Sequence, residues 1–164
     1  MTQERKYLWS LIVLFLATLP LVNPVTRGDG FYYVAHLRSA VVDHDLYYAN
    51  ELRFADEKTK AYLEPFLERY GRLTNKYSIG APILWAPYYV PVHIASLTLR
   101  NAGYDIPADG FGRQYLWAVG LATAIYAFAG LLLLYQLLRR YFRASAALAT
   151  ILAIWFATSL PAYV

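Results

Sequence analysis

The sequence predicts an all-α integral membrane protein, and three observations support that fold class. Of the 164 residues, 59% are hydrophobic and 16% are charged, whereas soluble domains are nearer half apolar and a quarter charged. The apolar residues are gathered in long uncharged runs. The 16 tyrosines and 4 tryptophans favour the membrane–water interface. This composition excludes a disordered chain and an ordinary soluble enzyme, and the lack of cysteine excludes a thiolate metal site.

Three uncharged runs are interpreted as transmembrane helices, because about 20 apolar residues cross the hydrocarbon layer of a membrane. The first run follows Arg5 and Lys6, and no small-residue cleavage site comes after it. We therefore expect an uncleaved span with a cytoplasmic N-terminus. The short loop at residues 139–143 carries three arginines, so the positive-inside rule places it in the cytoplasm as well. The spans are predicted at about residues 7–26, 114–138 and 144–164.

A fourth uncharged run, residues 77–99, does not make a net crossing in this topology. It contains Pro82, Pro87 and Pro91, and each interior proline removes a backbone donor and clashes with the preceding turn. We interpret the run as a broken, interfacial or re-entrant segment on the outer face. The alternative is four full spans, which would place residues 139–143 outside.

Residues 27–113 then form one large outer region, expected to be periplasmic, which holds nearly all of the acidic residues. Apolar residues at helical spacing predict an amphipathic helix over residues 31–43 and a second short helix over residues 61–72. Their apolar faces carry Phe31, Val34, Leu37 and Val41 in the first helix and Leu63, Phe66, Leu67 and Tyr70 in the second. Residues 1–164 as a whole are expected to be a single membrane module.

Asp29 is the strongest candidate for a catalytic residue. It lies immediately outside the end of the first predicted span, between Gly28 and Gly30, which allow a ligand to approach the backbone closely. A carboxylate near an apolar surface can act as a general base. The alternative interpretation is that Asp29 only caps a helix that begins at Phe31.

Two cations precede the proline-rich segment and are candidates for binding a lipid phosphate. These are Arg72 and Lys76, and an ammonium at the interface can bind phosphate as a point charge. Tyr33 and His36 share a helix side with Asp29, and we group them with the two cations as candidate substrate-binding residues. The alternative role for Arg72 and Lys76 is that of anchors that extend their charges towards the interface.

Asp43 and Asp45 flank His44 and are weak candidates for a divalent-cation site, since paired carboxylates can hold such an ion. The alternative interpretation is a polar helix end followed by a turn. His36 and His93 have no partner at a known ligand spacing, so haem is not expected. No glycine-rich phosphate loop or nucleophile motif is present.

The order of these features resembles the N-terminal part of the GT-C membrane glycosyltransferases, in particular the bacterial aminoarabinose-transferase-like and protein O-mannosyltransferase-like proteins. A span is followed by an acid and a tyrosine-rich helix. The motifs that come next are Asp43-His44-Asp45-Leu46, Asn75-Lys76-Tyr77-Ser78-Ile79-Gly80, Leu137-Leu138-Arg139-Arg140 and an ending at residues 158–163.

The resemblance implies that Asp29 is the catalytic base, or positions the acceptor, and that Lys76 contacts the phosphate of the donor. Gly30 stands where the family often has a second acid. The family places a further acidic site after the span that matches residues 144–164, and its members continue with more spans. The sequence is therefore expected to be the N-terminal part of a longer GT-C fold in a bacterial inner membrane, with part of the active site beyond it.

The predicted function is transfer of a sugar from a polyprenyl-phosphate donor to an acceptor hydroxyl at the outer membrane face, with inversion and with Asp29 as the base. No cofactor is required, because lysine or arginine can neutralise the leaving phosphate; a divalent cation is possible. The expected partners are membrane lipid and the polyprenyl-phosphate sugar, and nucleic acid is not expected, because the basic residues neighbour apolar spans.

The alternative is a non-catalytic accessory subunit of a larger membrane protein complex. Its small residues Gly120, Ala124 and Ala127 would then pack against helices of partner membrane subunits. A reading frame that stops after Val164 would favour this alternative, and one that continues into more spans would favour the enzyme.

Overall fold

A computed structural model describes residues 3–22, 25 and 28–157 of the chain. These residues form helices, turns and loops, and no strand occurs among them. The helices are α1 (Gln3–Thr18), α2 (Asp29–Arg38), α3 (Glu57–Tyr70), α4 (Gly80–Asn101), α5 (Arg113–Leu138) and α6 (Ala144–Ala157). Short 3₁₀ helices at Leu19–Leu21 and Tyr48–Phe54 and a π-helical turn at Ser39–Asp43 complete the helical elements. The all-α prediction is confirmed for this part of the chain.

Among the described residues, α5 is the one helix long and apolar enough to cross a membrane, with a mean hydropathy of 2.0. It coincides with the predicted span at residues 114–138. The 14-residue helix α6 is apolar but shorter, and the end of its predicted span, residues 158–164, lies outside the described part. The other two spans, and with them the three-span topology, remain predictions.

The chain divides into two compact units, one formed by Met1–Asn23 with Gly120–Val164 and the other by Pro24–Val119. In the first unit, the ring of Phe15 stacks on Phe128 at 4.1 Å between centroids and meets Trp155 edge-on at 6.4 Å. Ala124 is only 1% exposed, so this member of the predicted small-residue face is already covered within the chain.

The second unit contains the core that supports the predicted outer region. Its buried residues come from α2, α4 and the start of α5: Val34, Leu37, Tyr89, Tyr115 and Val119. Phe31, Val34 and Leu37 are buried, and the amphipathic character of residues 31–43 remains a prediction. His36 and Arg38 are buried too, so α2 is covered on most of its circumference and its polar groups need partners inside the protein.

The sequence predicts a broken segment at residues 77–99, but the structure has one continuous helix of 22 residues there, α4. Pro82 lies in the first turn, where the amide has no helical partner to lose. Pro87 and Pro91 lie inside the helix, and each removes a single hydrogen bond. The interfacial and re-entrant alternatives concern a membrane and remain predictions.

Helix α3 begins earlier than the sequence pattern predicts, because Asp56 caps it: a carboxylate oxygen accepts a hydrogen bond of 2.7 Å from the amide of Thr59. The helix ends at Gly71, whose φ of 66° is the left-handed conformation typical of a helix C-terminus. Its predicted apolar side does not enter the core. Phe66 is 45% exposed and Tyr70 is 59% exposed, so this face remains available to a ligand.

Candidate functional site

Asp29 is the first helical residue of α2, and Gly28 is the N-cap. Its position in the first turn favours a carboxylate, because the helix dipole is positive there. The Asp29 carboxylate accepts a hydrogen bond from the hydroxyl of Tyr77. The sequence alternative made Asp29 the cap itself, whereas the structure gives that position to Gly28 and joins Asp29 to a residue 48 positions away.

Tyr77 is the residue around which the sequence-predicted site gathers. Its ring lies 5.4 Å from the ring of Tyr33, and its carbonyl oxygen is 3.0 Å from Nε2 of His36. Nζ of Lys76 lies 5.2 Å from the centroid of the Tyr77 ring. Four of the five predicted catalytic and substrate-binding residues therefore contact this one residue.

The fifth predicted residue, Arg72, lines a groove of about 330 Å³ together with Lys76. The apolar wall of the groove is the exposed face of α3, with Tyr62, Leu63, Phe66 and Tyr70. Tyr32, Leu73 and Thr74 complete the lining. The groove thus combines two exposed cations with an aromatic wall, and Tyr32 links it to the Tyr77 ring by stacking at 4.9 Å.

The segment that carries Lys76 is fixed to α2 by side chains on both sides. Asn75 donates from Nδ2 to the carbonyl of Tyr32 at 2.6 Å and accepts at Oδ1 from the amide of Tyr77 at 3.1 Å. A carbonyl oxygen only accepts, so Nε2 of His36 must be the donor to Tyr77. In the neutral ring Nδ1 then accepts from the hydroxyl of Tyr48 at 2.8 Å. These bonds hold the backbone on each side of Lys76.

The hydrogen bond with Asp29 changes the chemistry of Tyr77. It raises the pKa of Tyr77 to about 12, since a neighbouring carboxylate favours the protonated phenol. At neutral pH Tyr77 is therefore a hydrogen-bond donor and not a base.

A second polar group, the Arg38 cluster, is centred on the last residue of α2 and consists of Arg38, Asp43 and Glu51. Arg38 and Glu51 are each 1% exposed, and Nη1 of Arg38 is 2.9 Å from both carboxylate oxygens of Glu51. The Asp43 carboxylate accepts hydrogen bonds from both terminal nitrogens of Arg38. Nε of Arg38 donates to the carbonyl of Asp109 at 2.7 Å. The cluster therefore ties α2, the turn after it and the loop before α5 together.

Asp43, one of the two weak metal candidates, is already bound to Arg38 within the Arg38 cluster. Asp45 instead accepts hydrogen bonds from the Ser39 hydroxyl at 2.9 Å and from the amide of Tyr47 at 3.0 Å. This arrangement is typical of a polar helix end followed by a turn, which is the alternative interpretation of the two acids. No group of three or more metal-ligating side chains occurs in the described part of the chain. A divalent cation at Asp43 and Asp45 remains a prediction without a third ligand there.

Sequence reasoning missed the roles of Arg38, Glu51 and Tyr77. A single cation inside the apolar stretch of α2 was the available signal for Arg38, because a charge on a buried helix needs a partner. Tyr77 gave no signal of its own, since it is one of 16 tyrosines and its contacts depend on how the chain folds back.

The Arg38 cluster leads to a prediction about pH. Burial raises the pKa of Glu51 from 4.5 to about 7 despite the hydrogen bonds from Arg38. Between these two values the folded protein holds a proton that the unfolded chain has released, so stability falls as the pH rises through this window. We expect a loss of at most about 3 kcal/mol, measured as the free energy of unfolding in detergent between about pH 5 and pH 8.

Glu51→Gln removes this titration and should flatten the pH dependence. Glu64→Gln is the matched control, because Glu64 is exposed on α3, and it should keep the wild-type slope. An equal slope in wild type and Glu51→Gln would show that another group is responsible.

Comparison with known proteins adds no family to this geometry. The chain matches no protein-family model, no curated protein and no solved structure at a significant level. Its resemblance to the GT-C glycosyltransferases remains a prediction from the order of its sequence features.

Proposed function

We propose that this chain is a glycosyltransferase module that uses a polyprenyl-phosphate sugar at the outer face of a bacterial inner membrane. One observation carries the proposal: Asp29, Tyr33 and His36, each more than 40 positions away along the chain, all contact Tyr77, the residue that directly follows Lys76. The N-terminus would be cytoplasmic, and residues 27–113 would lie on the outer side.

The groove has the chemistry that a polyprenyl phosphate requires. Lys76 and Arg72 supply positive charge for the phosphate, and Phe66 and Tyr70 supply apolar surface for the first isoprene units. The apolar helix α5 is consistent with a membrane as the source of such a lipid.

The proposed reaction is a single displacement at the anomeric carbon. Asp29 takes the proton from the acceptor hydroxyl, and the acceptor oxygen forms a bond to the anomeric carbon. The bond between that carbon and the phosphate oxygen breaks, and its electron pair leaves with the lipid phosphate. Lys76 and Arg72 stabilise the charge on this leaving group, so the chemistry needs no metal.

Binding of a polyprenyl monophosphate in nanodiscs tests the groove directly. We expect Lys76→Ala to weaken the Kd by about 10- to 100-fold, because it removes a charge-assisted hydrogen bond. The Kd for an uncharged polyprenol should stay unchanged, which separates phosphate recognition from apolar binding.

Lys58→Ala is the matched control, since Lys58 is an exposed lysine near the start of α3 and is not part of the groove lining. Equal affinities of the Lys76→Ala and Lys58→Ala variants would contradict the proposal.

A further inference from the structure

Tyr77 contacts both the proposed base and the proposed phosphate cation. Its hydroxyl donates to a carboxylate oxygen of Asp29, and its ring face lies 5.2 Å from Nζ of Lys76. The two residues come from different elements, since Asp29 begins α2 and Lys76 lies in the connection between α3 and α4. A single side chain therefore contacts both groups.

The Tyr77 ring packs against two neighbouring tyrosine rings, and this makes it suitable for such a role. Tyr32 stacks on it at 4.9 Å, and Tyr33 meets it at 5.4 Å with an interplanar angle of 63°. The backbone amide and carbonyl of Tyr77 are held by Asn75 and His36. A side chain restrained at its backbone and on its ring can orient a carboxylate and a cation together.

The two contacts of Tyr77 are chemically different and can be removed separately. The contact with Asp29 needs the hydroxyl, whereas attraction of an ammonium to the ring face needs only the aromatic ring. The hydroxyl occupies Oδ1 of Asp29, which directs an acceptor to the other carboxylate oxygen. Phenylalanine would keep the ring and lose the hydroxyl, and leucine would lose both.

We propose that Tyr77 is a positioning residue, which orients Asp29 through its hydroxyl and Lys76 through its ring while touching neither sugar nor phosphate itself. The inference rests on the proposed function, because it assigns Lys76 to the phosphate. It adds a coupling between the two halves of the site that neither residue type nor spacing indicated.

The first test compares two Tyr77 variants for binding of a polyprenyl monophosphate in nanodiscs. Tyr77→Phe should keep the wild-type Kd within about twofold. Tyr77→Leu should weaken it by about two- to fivefold, the fold-change that corresponds to losing an exposed cation–π contact. Tyr104→Leu is the control, since Tyr104 is an exposed tyrosine elsewhere in the same unit, and it should bind as wild type does.

The second test reads the hydroxyl contact by NMR of protein labelled at the tyrosine Cζ carbons, with the Tyr77 signal assigned by its loss in Tyr77→Phe. The Tyr77 signal should move in Asp29→Asn and stay in place in Asp105→Asn, where the replaced acid is also exposed. It should also move when the polyprenyl monophosphate is added to wild type, and not when it is added to Lys76→Ala.

These outcomes separate failure of the inference from failure of the proposed function. Suppose that Lys76→Ala weakens binding. If Tyr77→Leu then binds as wild type does, or if the Tyr77 signal does not move in Asp29→Asn, the positioning role is wrong and the proposed phosphate site is retained. Equal weakening by Tyr77→Phe and Tyr77→Leu also overturns the role assigned to the ring. If Lys76→Ala binds as wild type does, the proposed function fails first.

Discussion

Replacing Arg38 with methionine is expected to lower the free energy of unfolding by about 3–5 kcal/mol, the cost of breaking a buried ion pair on one side. Methionine fills much of the same volume, so the loss comes from the charges that remain. Glu51 keeps a buried carboxylate without its partner, and the carbonyl of Asp109 loses its donor. The measurement is the denaturant midpoint of the purified protein in detergent at about pH 8.

The destabilisation should shrink in acid. Burial raises the pKa of Glu51 to about 7 even beside Arg38, and loss of that cation raises it further, so the carboxyl takes up a proton and no longer needs a cation. Arg38→Met combined with Glu51→Met should regain part of the lost stability, since well-packed apolar residues can replace a buried pair. The Asp43 carboxylate and the Asp109 carbonyl still lack Arg38 in this double variant. Arg69→Met is the surface control and should cost less than about 1 kcal/mol. A loss in the Arg38 variant no larger than in this control would show that the cluster does not hold the second unit together.

Helix positions were predictable wherever local signals act alone. Long apolar runs gave α5, and Asp56 and Gly71 mark the ends of α3 in the sequence once a capping role is considered. The continuity of α4 was not predictable from its prolines, because their effect depends on position within the helix. Pro82 costs little in the first turn. Packing of the buried residues Tyr89 and His93 stabilises α4 and offsets the hydrogen bonds that the interior prolines remove.

The candidate site was predictable as a set of residues but not as an arrangement. Asp29, Lys76 and Arg72 follow from residue type and from position relative to apolar runs. The partners of Asp29 and Arg38 do not, because Tyr77 is 48 positions from Asp29 and Glu51 is 13 positions from Arg38. Such pairs depend on how the chain folds back on itself. The π-helical turn at Ser39–Asp43 and the 3₁₀ helix at Tyr48–Phe54 bring Glu51 back to the end of α2.

The two polar groups on α2 have different environments, and this difference suits different roles. The Arg38 cluster is buried and its charges are bound to one another, which favours a structural role. Asp29 and Lys76 are exposed and linked through a tyrosine, so a ligand can reach both. Helix α2 therefore connects the buried Arg38 cluster at its end to the exposed Asp29 at its start, an arrangement that would hold the proposed reactive groups in place without burying them.

Asp29→Asn is expected to reduce sugar transfer by roughly 10²–10⁴-fold, the contribution typical of a general base. Asparagine has the shape of aspartate, and its carbonyl oxygen can still accept a hydrogen bond from the Tyr77 hydroxyl, although a weaker one than the charged carboxylate accepts. Helix content and expression should therefore stay unchanged. The measurement is transfer from radiolabelled polyprenyl-phosphate sugars extracted from host membranes, with the full-length protein, and Asp105→Asn as the matched acid control.

The affinity of the same variant for a polyprenyl monophosphate locates the defect. Asp29 is not part of the groove lining, so the Kd should stay within about twofold of wild type while transfer is lost. That combination assigns Asp29 to the chemical step and Lys76 to the phosphate. Retained transfer would remove Asp29 from the reaction, and a weakened Kd with proportionally reduced transfer would make it a binding residue instead of a base.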